Sequence, residues 1–368
     1  MSSTPARFDG DVLRTGRRIP FRLGTLGYLI VVLLVVGIIG SLVSEHFLSV
    51  RNIENILVAA SVVAILGVAQ FFVVVTRGID LSVGSIAALA TVIVAVLLRQ
   101  GHSAFVAVLL ALLACALAGL VNGALVVFGR IAPFVVTLAM MSIARGVAFI
   151  IQVGTLIVIS NSSFLHVFGG KTGAVPNPVL IAVVVAVLAA AVMRFTTVGR
   201  RLYAFGGNPE AARLSGLPVR RDQLTAYVIS GLLAGLAGLV LAGRLQQGSS
   251  LVGQGYELDS IAATVVGGTS LFGGVGDPIS TVVGALIIGM ISNIMNLAGI
   301  QSEPQLVIRG VVILVAVFLT SGGGTALLRR GRGRRRRGGG AADPGTAPSQ
   351  DGIEQAPGVV ETASSRQS

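Results

Sequence analysis

Apolar residues fill this chain in unbroken runs of about 17–24 positions, the length a helix needs to cross a hydrocarbon core near 30 Å. The runs lie at 24–43, 56–76, 81–98, 104–128, 134–152, 178–194, 225–243, 257–272, 279–298 and 305–321. Apolar and polar positions do not alternate within them, which excludes a transmembrane β-barrel. The pattern predicts an all-α integral membrane protein with about ten transmembrane helices. The first run follows a basic segment but is too long for the core of a signal peptide, and no small-residue cleavage site is clear. It reads as an uncleaved first helix. The third run starts directly after Arg77-Gly78-Ile79-Asp80, and the fifth and eighth are rich in Gly, Ser and Thr. Some of these are expected as broken or re-entrant helices.

The longest polar interruption is the loop 195–224, and within it YAFGGNPEAARLSG (203–216) carries its own helix punctuation. Asn208 suits an N-cap and Pro209 the first helical position. Gly216 suits the left-handed position after the last turn, and Pro218 blocks continuation. The helix so marked, Pro209–Ser215, is about two turns long and too short to persist alone in water. It is expected to pack on something. A polar helix offered by a membrane protein on a basic loop points to docking of a cytoplasmic partner.

Composition agrees: 54% of residues are hydrophobic and 11% charged, against about 25% charged in a soluble domain. The 49 glycines suit membrane helices that touch backbone to backbone, and Gly119/Gly123 and Gly231/Gly235 form GxxxG pairs. The single cysteine, Cys115, lies in an apolar run and allows no intramolecular disulfide. With the N-terminus inside and strict alternation, the inner side holds Arg7, Arg14, Arg17, Arg18, Arg22, the arginines of the 195–224 loop and Arg329–Arg337. The outer side holds Arg51, Arg99, Lys171 and Arg244. This asymmetry puts both termini and the loop in the cytoplasm of a cell-membrane protein. The net charge of +12 is then mostly an attraction to anionic inner-leaflet lipid. Nucleic acid is not an expected partner, because no basic fold interleaved with aromatics is present. Three regions result: a basic tail 1–23, a membrane domain 24–321, and an Arg/Gly-rich then Pro/Ser-rich tail 322–368 whose composition does not support a core.

Chemistry is sparse. Gly170-Lys171-Thr172 resembles the end of a P-loop, but position 165 is Leu where a glycine is required and no strand precedes it, so an intrinsic ATPase is excluded. His46, His102 and His166 do not cluster with acids at metal-ligand spacing, and no catalytic triad is legible. No catalytic and no metal-binding residues are therefore expected. Polar residues inside apolar runs matter more, because charge in lipid is costly. Asp80 follows Arg77 at i, i+3; the pair reads as a surface ion pair capping a helix, or else as a kinked element on a transport path with Ser82. Arg145 is the charge deepest within a run and is expected to meet an acid or a carbonyl, or to snorkel. Glu257 and Asp259 open the eighth run and face either a pore mouth or water. Asn122, Asn293 and Asn296 bond between helices or touch a polar solute. Ser85–Val92 and Ser260–Val266 echo each other and, in this topology, run in opposite directions, the pattern of an inverted repeat with a solute path at its interface. Thr264 belongs to that second segment.

Four motifs, TRGIDLSVGSIAAL (76–89), GRIAPFVVTLAMMSIARG (129–146), YAFGGNPEAARLSGLPV (203–219) and ATVVGGTSLFGGVGDPISTVVGALIIG (263–289), closely resemble the permease subunits of ribose-type ABC importers, over about residues 26–321. The resemblance implies a pathway made by two permease subunits, homo- or heterodimeric. Cytoplasmic ATP-binding subunits would dock on the loops and hold the ATP and Mg, with no cofactor in this chain. An extracytoplasmic binding protein would deliver the solute. It implies that Gly207, Asn208, Glu210, Ala211, Ala212, Arg213, Ser215 and Gly216 form the coupling helix. In that helix Ala211 and Ala212 would seat in a cleft, and Glu210 and Arg213 would offer charge. It implies a monosaccharide as solute, while related permeases carry nucleosides, autoinducer-like sugars or branched-chain amino acids. No aromatic platform for a sugar is visible. Two other classes stay open. An ion-coupled secondary transporter usually needs buried acids, which the runs almost lack, and a passive channel would show no ATP dependence.

Overall fold

The computed structural model describes residues 21–301 together with 304–308, 310, 311, 314 and 318. The tail 322–368, residues 1–20 and much of the tenth apolar run lie outside the described residues. The helices are α1 (Phe21–Val43), α2 (Val50–Val74), α3 (Val83–Arg99), α4 (Ala104–Val127), α5 (Pro133–Gln152), α6 (Ser162–Gly169), α7 (Asn177–Phe195), α8 (Thr197–Gly207), α9 (Pro209–Leu214), α10 (Val219–Leu245), α11 (Tyr256–Val266) and α12 (Pro278–Leu297). Two tiny antiparallel ladders accompany them. β1 (Ile157–Val158) pairs with β4 (Gln247–Gly248), and β2 (Lys171–Thr172) pairs with β3 (Val175–Pro176).

Helix starts follow local chemistry. Ser49, Ser103 and Thr196 accept at Oγ from the amides of Asn52, Val106 and Gly199. Asn161 and Asp277 do the same with carbonyl or carboxylate oxygens for α6 and α12. Proline sits in the first turn of α5, α7, α9 and α12, where its missing N–H has no bond to lose.

Seven described helices are long and apolar enough to cross a membrane: α1 from Gly24, α2, α4, α5, α7, α10 and α12. This is a multi-pass membrane protein. α2 is the buried centre, wrapped by α10, α12, α11 and α7. α1, α4, α5 and α7 turn rows of Leu, Val, Ile and Phe outward, among them Leu42, Phe105, Ile150 and Leu188. An apolar exterior of this extent suits hydrocarbon and not water. The glycine pairs in α4 and α10 meet each other: a Cβ on Gly231 would run into the Cys115 carbonyl, and one on Gly119 into the Tyr227 carbonyl.

Among the described residues two of the expected runs, the third and the eighth, form shorter helices beside the seven long ones, for a physical reason. α3 has 17 residues and α11 only 11, and each is preceded by a non-helical stretch, 75–82 and 246–255. The eighth apolar run, expected at 257–272, is helical only to Val266. Beyond it Gly268, Gly273 and Gly274 adopt positive φ, a conformation glycine takes without steric cost. The N-termini of α3 and α11 abut, with Gly84 against the Gly253 carbonyl and the Glu257 amide. From that junction the two helices run apart toward opposite ends of the bundle. The echo between 85–92 and 260–266 therefore corresponds to two half-helices of opposite direction.

Replacing Gly231 by Leu forces a side chain into the α4 backbone, and overpacking costs roughly 1–3 kcal/mol. The detergent-solubilised variant should melt below wild type in a thermal unfolding scan. Gly146→Ala, at a position with open space around it, should melt no lower than wild type.

Candidate functional site

The polar 195–224 loop is two helices. α8 is stapled to α10 by Arg201, whose Nε and Nη2 donate to the Asp222 carboxylate at 2.8–3.1 Å. Asp222 is buried, and the two-pronged geometry is the strong form of this pair. α9 follows with the expected caps. Asn208 Oδ1 accepts from the Ala211 amide at 3.0 Å. At the other end Gly216, at φ 74°, lets the Leu217 amide reach the Ala212 carbonyl and the Gly216 amide reach that of Arg213. This is the Schellman arrangement. Ser215 Oγ adds a bond to the Ala211 carbonyl.

Within α9, Ala212 is 4% exposed and packs inward on its own chain, while Ala211 is exposed. The outward surface is Glu210, Ala211, Arg213 and Leu214, with Gly207 and Asn208 exposed at its base. Glu210 and Arg213 form a 3.7 Å ion pair with both side chains about 70% exposed, which holds neither strongly. Leu214, 78% exposed, was not singled out by sequence; its only mark was an apolar side chain on a polar helix.

Arg77 and Asp80 do not pair, contrary to the ion-pair reading. Arg77, at φ 65°, donates from Nε to the Gly206 carbonyl at 2.6 Å and from Nη2 to the Gly207 carbonyl at 2.7 Å. The arginine is drawn to a carbonyl pair because α8 ends there with unsatisfied acceptors. Asp80 turns inward and is fully buried. Its Oδ1 accepts from the amide and hydroxyl of Ser82, and Oδ2 accepts from Ser230 Oγ of α10 at 2.8 Å. Asn122 Nδ2 of α4 donates to Ser82 Oγ at 2.9 Å. In its satisfied orientation the Gln70 amide pairs with both backbone groups of Asp80. Asp80, Ser82 and Asn122 thus form a sealed knot joining α2, α3, α4 and α10.

Arg145 resolves to the carbonyl alternative. Its Nη1 donates to the carbonyls of Ser250 and Val252, while Gln152 Oε1 accepts from the Ser250 amide at 2.6 Å. Thr264 Oγ1 donates within α11 and toward the Gly67 carbonyl of α2, a packing role.

The other candidates come together. Asp259, Asn293 and Asn296 line one cleft of about 470 Å³ with Asn55, Arg244 and Tyr256. Its walls are the first turns of α2, the ends of α10 and α12, and the start of α11, all at the end of the bundle away from α9. Asn55, Arg244 and Asn296 are exposed at the rim, whereas Asp259 is 3% exposed below them. Asn293 and Asn52 exchange two amide hydrogen bonds of 2.9 and 3.0 Å. Just beneath, Gly289 lets α12 close on Ala60 of α2, so the wall is rigid. Tyr256 supplies an aromatic ring that the sequence did not reveal as part of a site. Arg244 and Asn55 were likewise missed, since only the fold brings them to Asp259.

Half-helices meeting inside an apolar bundle, polar clusters on either side and a polar helix at one end define a multi-pass transport protein rather than a structural span. The chain belongs to the family of permease components of the branched-chain amino acid transport system type, whose profile matches residues 52–317. It is 41% identical over 295 residues to the ribose import permease protein RbsC of Escherichia coli strain K12, covering 79% of this chain and 92% of that protein. It is 37% identical over 294 residues to the D-allose transport system permease protein AlsC of the same strain, covering 80% and 90%. To the L-arabinose permease protein AraH of Azospirillum brasilense it is 38% identical over 289 residues, covering 78% and 85%. No solved structure matches the chain.

Arg77→Ala removes two charge-assisted bonds, each worth about 1.5–3 kcal/mol, from the base of α9. Hydrogen–deuterium exchange should quicken over 206–214 and stay unchanged in α2 and α10.

Proposed function

We propose that this chain is the membrane-spanning subunit of an ATP-driven importer that carries a monosaccharide across the cell membrane by alternating access, without changing it chemically. The observation that carries the reading is identity of 37–41% across nearly the whole membrane core to permeases named for ribose and allose, with an arabinose permease in the same range. The family's own description names branched-chain amino acids. The sugar reading is preferred because these individual relatives, at 37–41% identity, are named for sugars.

In this reading ATP and Mg are held by separate cytoplasmic subunits. A binding protein presents the solute on the other side, and a second permease subunit completes the pathway. The Arg-rich 195–224 loop faces the cytoplasm with both termini, by the positive-inside rule. α9 is the element the ATP-binding subunits grip: Glu210 and Arg213 are exposed and only loosely paired, and exposed Leu214 offers an apolar anchor. The Arg201–Asp222 staple gives that grip a firm base. An ion-coupled transporter is disfavoured because Asp80, the buried acid of the α2–α3 turn, has its carboxylate occupied by serine hydroxyls and an amide.

The test is gentle purification of the chain from native membranes, with mass spectrometry of what accompanies it. An ATP-binding protein should co-purify with wild type. Glu210→Arg should lower its recovery at least about tenfold, equivalent to ~1.4 kcal/mol of docking free energy, without changing the melting temperature of the permease. Uptake into cells should stop on ATP depletion and survive an ionophore. Uptake that collapses with the ionophore while ATP is intact would sink the reading in favour of a secondary transporter.

A further inference from the structure

The cleft between α2, α10, α11 and α12 has the composition of a binding site for a neutral, hydroxyl-rich ring. We infer that the permease itself holds its solute there, with Tyr256, Asp259 and Arg244 as the residues that select it. This rests on the importer reading for the direction of the cleft, which opens at the end away from α9.

Three observations carry the inference. The first is size: about 470 Å³ lies within the roughly 300–1,000 Å³ range of small-molecule sites. The second is the lining. Polar side chains outnumber apolar ones, and they include both donors and acceptors. A carboxylate is acceptor-only and a guanidinium donor-only, while amides do both. A sugar hydroxyl also does both, so Asp259 below and Arg244 at the rim bracket a solute whose hydroxyls donate at one side and accept at the other. Tyr256 gives an apolar ring face for the C–H face of the sugar and a phenol for its edge. The contrast is the groove of similar volume between α7 and α10, floored by Phe72 and lined by Leu, Ile, Val and Ala alone, which suits an acyl chain. The third is preorganisation. The Asn52–Asn293 amide pair and the Gly289–Ala60 contact fix two walls on helices, and Asn296 Oδ1 is oriented by Gln305 Nε2 at 2.9 Å. Sites on rigid elements hold their geometry better than sites on loops.

The test uses the full chain with its partner subunits in sealed right-side-out vesicles. Ser292, on the cleft wall, is replaced by Cys. The native Cys115 is fully buried and stays silent to a membrane-impermeant maleimide. Leu48→Cys, exposed in the α1–α2 turn, is the positive control. The probes are D-ribose, L-arabinose, D-allose and L-leucine. At least one of the three sugars should slow labelling of Ser292→Cys, by roughly tenfold when it stands at about ten times its Kd, as mass action requires. L-Leucine should not. Adding Asp259→Asn, or separately Tyr256→Ala, should abolish the protection and leave the rate without sugar unchanged.

Failure of all three sugars to protect would overturn the site. So would equal protection in the Asp259→Asn and Tyr256→Ala backgrounds, or a residue 292 thiol that stays unlabelled while the Leu48→Cys control reacts. Protection by L-leucine alone would overturn the solute class. ATP-driven uptake is measured in parallel. Uptake without protection sinks this site and leaves the importer reading; protection without ATP-driven uptake sinks the importer reading and leaves the site.

Discussion

Backbone that leaves the helix inside a membrane must find every hydrogen bond within the protein, because hydrocarbon offers none. Among the described residues 75–82 and 246–255 leave it, and buried polar side chains around them satisfy their backbone groups. Gln70 spends its amide on the main chain of Asp80, and Asp80 spends its carboxylate on Ser82 and Ser230. On the other stretch Thr91 exchanges bonds with Ser249, Gln152 takes the Ser250 amide, and Arg145 takes the Ser250 and Val252 carbonyls. Gln70 and Ser230 on one side, and Thr91 and Gln152 on the other, therefore form two buried polar sets, one for each break. Their burial in an apolar bundle is the consequence of opening the backbone there.

The breaks also need space, and glycine supplies it at the point where they meet. A Cβ on Gly84 would strike the Gly253 carbonyl and the Glu257 side chain. α3 and α11 thus bring their N-termini together around the Glu257 side chain. The carboxylate of Glu257, whose Oε1 accepts from the Gly255 amide at 3.1 Å, lies where two positive helix ends converge, and such ends favour negative charge.

Much of this was legible in the sequence because it depends on local chemistry. The apolar runs located the crossings, and α9 was bounded to within one residue by Asn208, Pro209 and Gly216. What was not legible depends on which segments meet. Nothing in the spacing of Arg77 and Asp80 reveals that one faces the end of α8 and the other a serine on α10, since i, i+3 neighbours on a helix are expected to pair and this segment is not a helix. Broken helices were expected among the third, fifth and eighth runs, but where the eighth ends was not legible, because Gly-rich 267–276 keeps an apolar composition after the helix has ended at Val266. The polar cleft was half legible: Asp259, Asn293 and Asn296 stood out as polar residues in apolar runs. Asn55 and Arg244 sit at helix ends where polar residues are ordinary, and Tyr256 was one of only four tyrosines, with no pattern to mark it.

One short helix leads from the cleft toward the base of α9. α11 carries Asp259 in its first turn beside the cleft, and it ends at Val266. The loop that follows reaches the base of α9: the Gly274 amide bonds the Val75 carbonyl at 3.0 Å, Tyr203 of α8 bonds the Gly276 carbonyl at 2.8 Å, and Gly274 lies directly against Gly207. Arg77 closes the same cluster from the α2–α3 turn. A rigid displacement of α9 is therefore delivered first to the turn that precedes α3 and to the loop that follows α11. Those are the two half-helices whose opposed N-termini meet inside the bundle. Packed interiors shift between discrete arrangements rather than deform smoothly, and a junction with glycine on both sides is where such a shift meets least resistance.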